Sequence, residues 1–539
     1  MLRLEGPHAG QAGPNAAAAA RKIPDAEERM DLDLLVHGGR IADGTGGPLA
    51  SADVGIRGDT LELLPPGAVP ADAAGDTVDA SGLVLAPGFL DAHTHSDEAA
   101  LGTVDEATAH AAVLQGVTVE ICGNCGTSAF PVAGGFAGFG AFARAHDAAG
   151  RPNHIASLVG HGTLRAEAVG HAARPATKAE LDRMCGLLDD ALGAGAVGLS
   201  TGLIYPPGAY ADTAEIVALA GVAARHGKPY VTHLRDEMAH VETALAEAAE
   251  IADRSGAALH VSHHKTAGRS AWGGTARTLP YLDALRDKGM DVTCDVYPYT
   301  AGSTALAAML PPWAHDGGPA QLLGRLADPG TRRLMRESIE QGVPGWENTV
   351  GNGGWDRISV SGAARNPELQ GLTIADAATV CRKEPIDLVA DLLLAHDGDV
   401  TVISHSMRED DVRRVLASPH TMIGSDGVPK PGLPHPRWAG TFARVLGHYT
   451  RDLGLLSLPE AVRKMTGATA ARFGLTGRGL LRDGAHADLV AFDPRLIADR
   501  ATFADPLRAP DGIRMVIVDG RIAVRDGKVL ARPGRTLTA

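Results

Sequence analysis

Residues 84–95 read VLAPGFLDAHTH, an apolar run that ends on two histidines one residue apart. The run has the length and composition of a buried strand. Side chains two apart on a strand point to the same face, so His93 and His95 project into one small volume at its end. A packed core gains nothing from two adjacent imidazoles, whereas a metal ion needs converging neutral nitrogens. A polar strand end explains the pair equally well when it is taken alone. The rest of the chain has to decide between them.

Working outward, buried-strand patterns alternate with amphipathic helices. The strand candidates are GVTVEIC, HIASLVG, AVGLSTGL, PYVTHLR, ALHVSHHK, DVTCDVYP, VTVISHS and TMIGSDG. Helical stretches such as DEMAHVETALAEAAEIADRSG and REDDVRRVLASPH fall between several of them. This alternation predicts a parallel sheet with helical crossovers. With VLAPGFLDAHTH taken as one further strand, the set supplies what a closed (β/α)8 TIM barrel over 87–474 requires. An open doubly wound sheet is the rival, but no GxGxxG follows the first strand. Residues 305–400 fit the alternation least and are expected to hold an insertion. There, GGPAQLLGRLADPGTRRLMRESIEQGV reads as helical and GWENTVGNGGWDRISV as a hairpin or loop.

Short β-rich segments flank this region. DLDLLVHGGRIADGTGG, ADVGIRGDTLELL, ADLVAFDP and IRMVIVDGRIAVRDGKVL carry strand-length apolar runs broken by Gly-Gly, Asp-Gly and Gly-Asp turns. Separately they cannot bury a core. Together, 30–86 and 475–539 are expected to form one small β-sandwich built from both chain termini. Residues 1–29, rich in Ala, Gly and Pro, read as a flexible extension.

The composition excludes several classes. Lys and Arg total 50 against 64 Asp and Glu, a net charge of −14 that repels nucleic acid and anionic membranes. No apolar stretch approaches the ~20 residues of a membrane span, and the start resembles no signal peptide. Five cysteines in 539 residues make no disulfide framework and fit a reducing cytoplasm.

In a barrel, catalytic groups collect at the C-terminal strand ends. His93 and His95 end the first strand, and Cys125 follows the second. His233 ends YVTHLRDE, His263 ends LHVSHHK, and Asp426 ends TMIGSDG. Scattered core histidines would not respect that placement, so a metal centre is the better reading. His264 should point away from its neighbour and be structural. His161 and His405 also end apolar runs and are candidates to line the pocket, while Trp438 reads as packing. Cys122 could pair with Cys125 as a CxxC redox motif, but the Gly-Asn filling argues for a loop and leaves Cys122 a buried bystander.

The combination resembles the amidohydrolase superfamily and, within it, the N-acyl-D-amino acid deacylases. The resemblance rests on PGFLDAHTH, GNCGTSAFP, GLSTGLIYPPGAYA, THLRDE, VSHHK, IGSDG, HPRWAGTFARVLG, KMTGATAARFGLTGRG and LRDGAHADLVAFDP, and so runs from about residue 31 to the C-terminus. It implies one tightly bound Zn2+ on Cys125, His233 and His263. It also implies an adjacent, weaker metal position defined by His93, His95 and Asp426. Asp426 would act as general base and acid in hydrolysing the amide of a small N-acyl-D-amino acid. The free α-carboxylate of such a substrate needs positive charge and hydrogen-bond donors. Lys265, Arg437 and Tyr297 are the leading candidates, with Tyr205 and Ser303 beside them. Two other readings stay open. A cyclic-amide hydrolase of the hydantoinase or dihydroorotase kind would bridge its metals with a lysine where Cys125 stands, and a non-catalytic scaffold would be expected to have lost ligands.

Overall fold

The computed structural model describes residues 32–70, 74–97 and 99–539. The extension expected over 1–29 lies outside the described residues. Eight parallel strands follow one another around a ring. They are Phe89–Asp91 (β1), Val117–Cys122 (β2), His154–Ser157 continued by Val159–Gly160 (β3) and Leu199–Gly202 (β4). Tyr230–His233 (β5), Leu259–Val261 (β6), Val292–Val296 (β7) and Thr421–Ile423 (β8) complete it. Every neighbouring pair from β1 to β8 is parallel. The ring closes where the Ala92 N–H donates to the Ile423 carbonyl at 3.2 Å, with a parallel bridge between Thr94 and Gly427 just beyond. These strands are buried almost throughout, as a parallel sheet covered by helices must be. The fold is the expected (β/α)8 barrel.

The opening stretch is not one strand. Val84–Pro87 pairs with Leu489–Phe492 in a seven-stranded sheet, whereas β1 pairs with β2. Between them the Gly88 N–H donates to the Asp488 carbonyl and the Phe89 N–H to the Gly116 carbonyl, so the chain changes sheets at a single residue. Gly88 has to be glycine because a Cβ there would collide with the Thr118 side chain. The seven-stranded sheet faces a five-stranded one, ordered 485–486, 60–64, 53–57, 32–37 and 74–79. Leu34, Val36, Val54, Ile56, Leu85, Leu489 and Ile517 fill the space between the two. Neither end of the chain makes that core alone.

VTVISHS also differs from expectation. Thr401–Ser404 is not a barrel strand; it is the centre of a small antiparallel sheet between Gly302–Ala305 and Ile358–Gly362. A short buried strand reads the same in sequence whichever sheet it joins. Residues 302–404 thus stand between β7 and the helix Glu409–Ala417 that leads to β8. They carry helices Pro319–Ala327 and Pro329–Gln341, split at Asp328 where the next proline ends the first helix. Their separate apolar core includes Leu306, Leu326, Met335, Ile374, Val389 and Val402.

The sheet change at Gly88 gives a direct test. Gly88→Ala should cost about 1–3 kcal/mol through overpacking against Thr118, seen as a lower urea midpoint with an unchanged slope. An unaltered midpoint would mean that the junction tolerates a side chain and does not tie the two layers together.

Candidate metal centre and substrate cavity

The sequence-predicted ligands meet at the C-terminal mouth of the barrel. The Cys125 Sγ lies 3.4 Å from His93 Nε2, 3.4 Å from His263 Nε2 and 3.7 Å from His233 Nδ1. Asp426 Oδ1 lies 3.1 Å from His95 Nε2 and 3.5 Å from His93 Nε2. Six donors from five strand ends thus share one small volume, buried except for the partly exposed His95 ring. Cys125 approaches His93 as closely as His263, so His93 stands between the two groups of three that the resemblance implied. His93, Cys125 and His263 form one close trio, and His93, His95 and Asp426 another.

Three of these residues hold unusual backbone conformations. Cys125, His263 and Asp426 have φ of 51°, 33° and 50°, in the left-handed region that non-glycine residues seldom occupy. Each turn aims a side chain inward from a strand end. Strain kept at three candidate ligands, and supported by tight packing around them, points to function at this place. One support is Gly202, where a Cβ would overlap the Cys125 carbonyl.

The remaining ring nitrogens are oriented from behind. His93 Nδ1 lies 3.4 Å from Asp295 Oδ2, and the Asp295 Oδ1 accepts the His263 N–H at 2.9 Å. Glu237 Oε1 lies 3.0 Å from His263 Nδ1, and its Oε2 lies 3.5 Å from His233 Nε2 while accepting from Lys265 Nζ at 2.7 Å. Carboxylates behind the imidazoles fix ring orientation and raise basicity. Sequence reasoning missed both acids. Glu237 stands four residues after His233 in THLRDE, and Asp295 shares a strand face with Tyr297, so both signals were present.

The electrostatics favour a cation. Burial pushes the Cys125 thiol up, but the charges of His93 and His263, with hydrogen bonds from His233 and His263, hold it well below its ordinary range. Burial likewise raises Asp426, and Arg437, His263, His93 and His95 together outweigh it and keep the carboxyl well below the usual value. Burial and the Lys265 charge lower His263, while Glu237, Cys125 and Asp426 overcome them and lift it to about 9. The volume is therefore a well for positive charge. For Zn–N near 2.05 Å and Zn–S near 2.3 Å, tetrahedral geometry puts a sulfur–nitrogen pair about 3.6 Å apart, and the Cys125 separations of 3.4, 3.4 and 3.7 Å bracket that value. Thiolate, imidazoles and one carboxylate suit zinc by chemistry as well as spacing.

A cavity of about 470 Å³ opens above this cluster. Tyr205, Lys265, Tyr297 and Ser303 line it, as expected of groups that meet substrate. Arg437 does not. Its guanidinium is fully buried with Nη1 2.8 Å from Asp426 Oδ2, and it stacks 4.6 Å over the Tyr297 ring. His161 Nε2 lies 2.8 Å from Glu215 Oε1, and His405 packs against Phe503; neither lines the cavity. His264 lies 2.8 Å from the Thr278 hydroxyl, and the Trp438 indole donates to the Thr108 carbonyl, both structural contacts. Cys122 is buried away from the cluster, and burial pushes its thiol well up.

Comparison with known proteins agrees with this geometry. Residues 76–524 match the Amidohydrolase family, and the chain belongs to it. It is 39% identical over 509 residues to a D-aminoacylase of Alcaligenes xylosoxydans xylosoxydans, covering 92% of this chain and 94% of that one. Among solved structures it resembles a D-aminoacylase described by its binuclear metal center, at 37% identity and a TM-score of 0.80, over 94% of this chain and 100% of the other. It also resembles the N-acyl-D-glutamate deacylase of Bordetella bronchiseptica complexed with zinc and a phosphonate mimic of the tetrahedral intermediate. That match has 36% identity and a TM-score of 0.81, with the same coverage.

The two cysteines separate the metal reading from a CxxC redox pair. Cys125→Ala should lose the zinc that survives dialysis of the wild type and abolish turnover, whereas Cys122→Ala should keep both. Equal loss in the two variants, by metal analysis on the same preparations, would place the ligand wrongly.

Proposed function

We propose that this protein is a zinc-dependent hydrolase of N-acyl-D-amino acids, yielding a carboxylate and a free D-amino acid. The observation that carries the reading is the convergence of Cys125, four histidines and Asp426 beneath a cavity that also holds Lys265, Tyr297 and Ser303. Similarity to D-aminoacylase and to N-acyl-D-glutamate deacylase supports the substrate class and its D configuration. In this reading Cys125, His233 and His263 hold the tight zinc, and His93, His95 and Asp426 border a weaker second position. A zinc ion there would polarise the scissile carbonyl and bring the pKa of water to about 7.

The protein's own groups do the rest. Asp426 takes a proton from the attacking water and returns it to the departing amine nitrogen. Its second oxygen, 2.8 Å from Arg437 Nη1, is held by that pair, so the carboxylate keeps one orientation through the proton transfers. Arg437, buried behind the cavity wall, thus positions Asp426 and backs the Tyr297 ring. Lys265, Tyr297 and Ser303 bind the α-carboxylate, and Tyr205, whose hydroxyl lies 3.1 Å from that of Thr304, lines the cavity with them. Cys125 stands where a cyclic-amide hydrolase is expected to carry a bridging lysine. The intact donor set argues against a scaffold that has lost its chemistry. A cytoplasmic setting belongs to the same reading, supported by five unpaired thiols. Among the described residues no helix is long and apolar enough to cross a membrane.

Purified protein should cleave N-acetyl-D-methionine and leave the L enantiomer intact, with about one equivalent of zinc bound to the same sample. Zinc without cleavage of either N-acetyl-D- or N-acetyl-L-amino acids would keep the metal site and overturn the substrate. Asp426→Asn should lower kcat by about 10²-fold or more, in the range of a lost general acid–base, with KM little changed. A KM effect alone would assign Asp426 to binding instead.

A further inference from the structure

The cavity wall beyond Lys265 is built by the inserted segment 302–404, and it carries a carboxyl group that the reaction does not use. Glu347 lies in the loop between helix Pro329–Gln341 and the short helix Thr349–Gly353, and it is 8% exposed. Its Oε2 accepts the Glu237 N–H at 2.6 Å, and the residue lines the cavity. Glu237 in turn pairs with Lys265, so Glu347 stands one residue beyond the ammonium assigned to the substrate α-carboxylate. Trp346, Met238, Ala267 and Met309 surround the same region with apolar surface. The loop is anchored, because the Asn348 side-chain amide donates to the Ile339 carbonyl at 2.7 Å.

A substrate whose α-carboxylate meets Lys265 must lay its side chain along neighbouring wall. An acidic side chain there needs a cation to neutralise it. Lys265 is committed to Glu237 and the α-carboxylate, and Arg437 is buried against Asp426. Lys430, the other lysine on the wall, has Asp399 facing it, with Nζ 3.9 Å from Oδ1. The acids Glu347 and Asp399 leave this surface with no net positive charge for a second carboxylate.

We infer that Glu347 is a specificity residue, and that the cavity takes N-acyl-D-amino acids with neutral or cationic side chains and turns away acidic ones. The inference rests on the deacylase reading above and narrows it. Glu237 and Asp236 face Glu347 from the loop after β5, and Lys265 from the loop after β6. Burial first, then the Glu237 charge, pushes the Glu347 carboxyl up to about 8, with Asp236 raising and Lys265 lowering it. Its negative charge therefore grows as pH rises through that value, and the exclusion of acidic side chains grows with it.

N-acetyl-D-glutamine and N-acetyl-D-glutamate are nearly the same shape and differ in charge, so the ratio of their kcat/KM values reads the effect directly. The wild type should favour the glutamine substrate by about tenfold or more at pH 9, since like charges in one pocket cost at least that much, and by less at pH 7. Glu347→Gln keeps an acceptor for the Glu237 N–H, so the loop should stay in place. In that variant the ratio should fall about tenfold at pH 9 and lose its pH dependence, while N-acetyl-D-lysine becomes a poorer substrate and N-acetyl-D-methionine is unaffected. A wild type that prefers N-acetyl-D-glutamate overturns the inference, as does a ratio unmoved by Glu347→Gln at pH 9. Failure to cleave any N-acetyl-D-amino acid overturns the deacylase reading and this inference with it, and is a different result from either.

Discussion

The site depends on the seam between the first and last strands of the barrel. The Asp426 N–H donates to the His93 carbonyl at 2.8 Å, and the His95 N–H donates to the Gly427 carbonyl at 2.9 Å. These two backbone bonds join residues more than 300 positions apart. They place Asp426 Oδ1 between the two imidazoles of the opening motif. Without closure, His93 and His95 would be a polar strand end and Asp426 a loop acid. Closure turns separate motifs into one donor set, and every other ligand reaches it from a strand lying between these two. The positive φ at Cys125, His263 and Asp426 adds an unfavourable backbone contribution of about 1–3 kcal/mol at each position. The closed ring, fixed on both sides of each strand, is what can hold them there.

Charge is arranged in layers around that set. The inner layer is thiolate, imidazole and carboxylate; behind it Asp295 and Glu237 engage the rings from their far sides. The Asp295 carboxylate serves two candidate ligands at once, with Oδ2 near His93 Nδ1 and Oδ1 accepting the backbone N–H of His263. It also lies 2.9 Å from His260 Nε2, which ties the arrangement into the barrel interior. Lys265 and Arg437 then balance the acids on the substrate side, one through Glu237 and the other through Asp426. A chain with net charge −14 can therefore still present local positive charge to an anionic substrate.

The candidate ligands were legible in the sequence because strand ends are marked by abrupt changes from apolar to polar residues, and the barrel rule gives those ends a meaning. His93, Cys125, His233, His263 and Asp426 each sit at such a change. The acids behind them were less legible: Asp295 and Glu237 follow the same periodicities, but a single carboxylate near a motif has many ordinary explanations. The split at Gly88 was hidden because the apolar run continues through it, and hydrogen-bond partners leave no trace in composition. VTVISHS misled for a related reason, since burial on both faces does not tell a barrel strand from the centre of a small antiparallel sheet. Glu347 had no signal, being an acid in a loop whose place against Glu237 is set by tertiary packing alone.

The division of labour between barrel and insert follows from their separate cores. The strand ends carry the donors and Asp426, and these are constrained by closure, strain and buried hydrogen bonds. The wall formed by 302–404 rests on its own apolar cluster around Leu306, Leu326 and Val389. Trp346 and Met309 stand on that wall, and Glu347 meets the barrel through one bond, its Oε2 accepting the Glu237 N–H. The candidate donors and the facing cavity wall thus belong to different parts of one chain. Similarity both to a D-aminoacylase and to an N-acyl-D-glutamate deacylase is what such a separation allows, with the donors fixed at the strand ends and the facing wall free to differ.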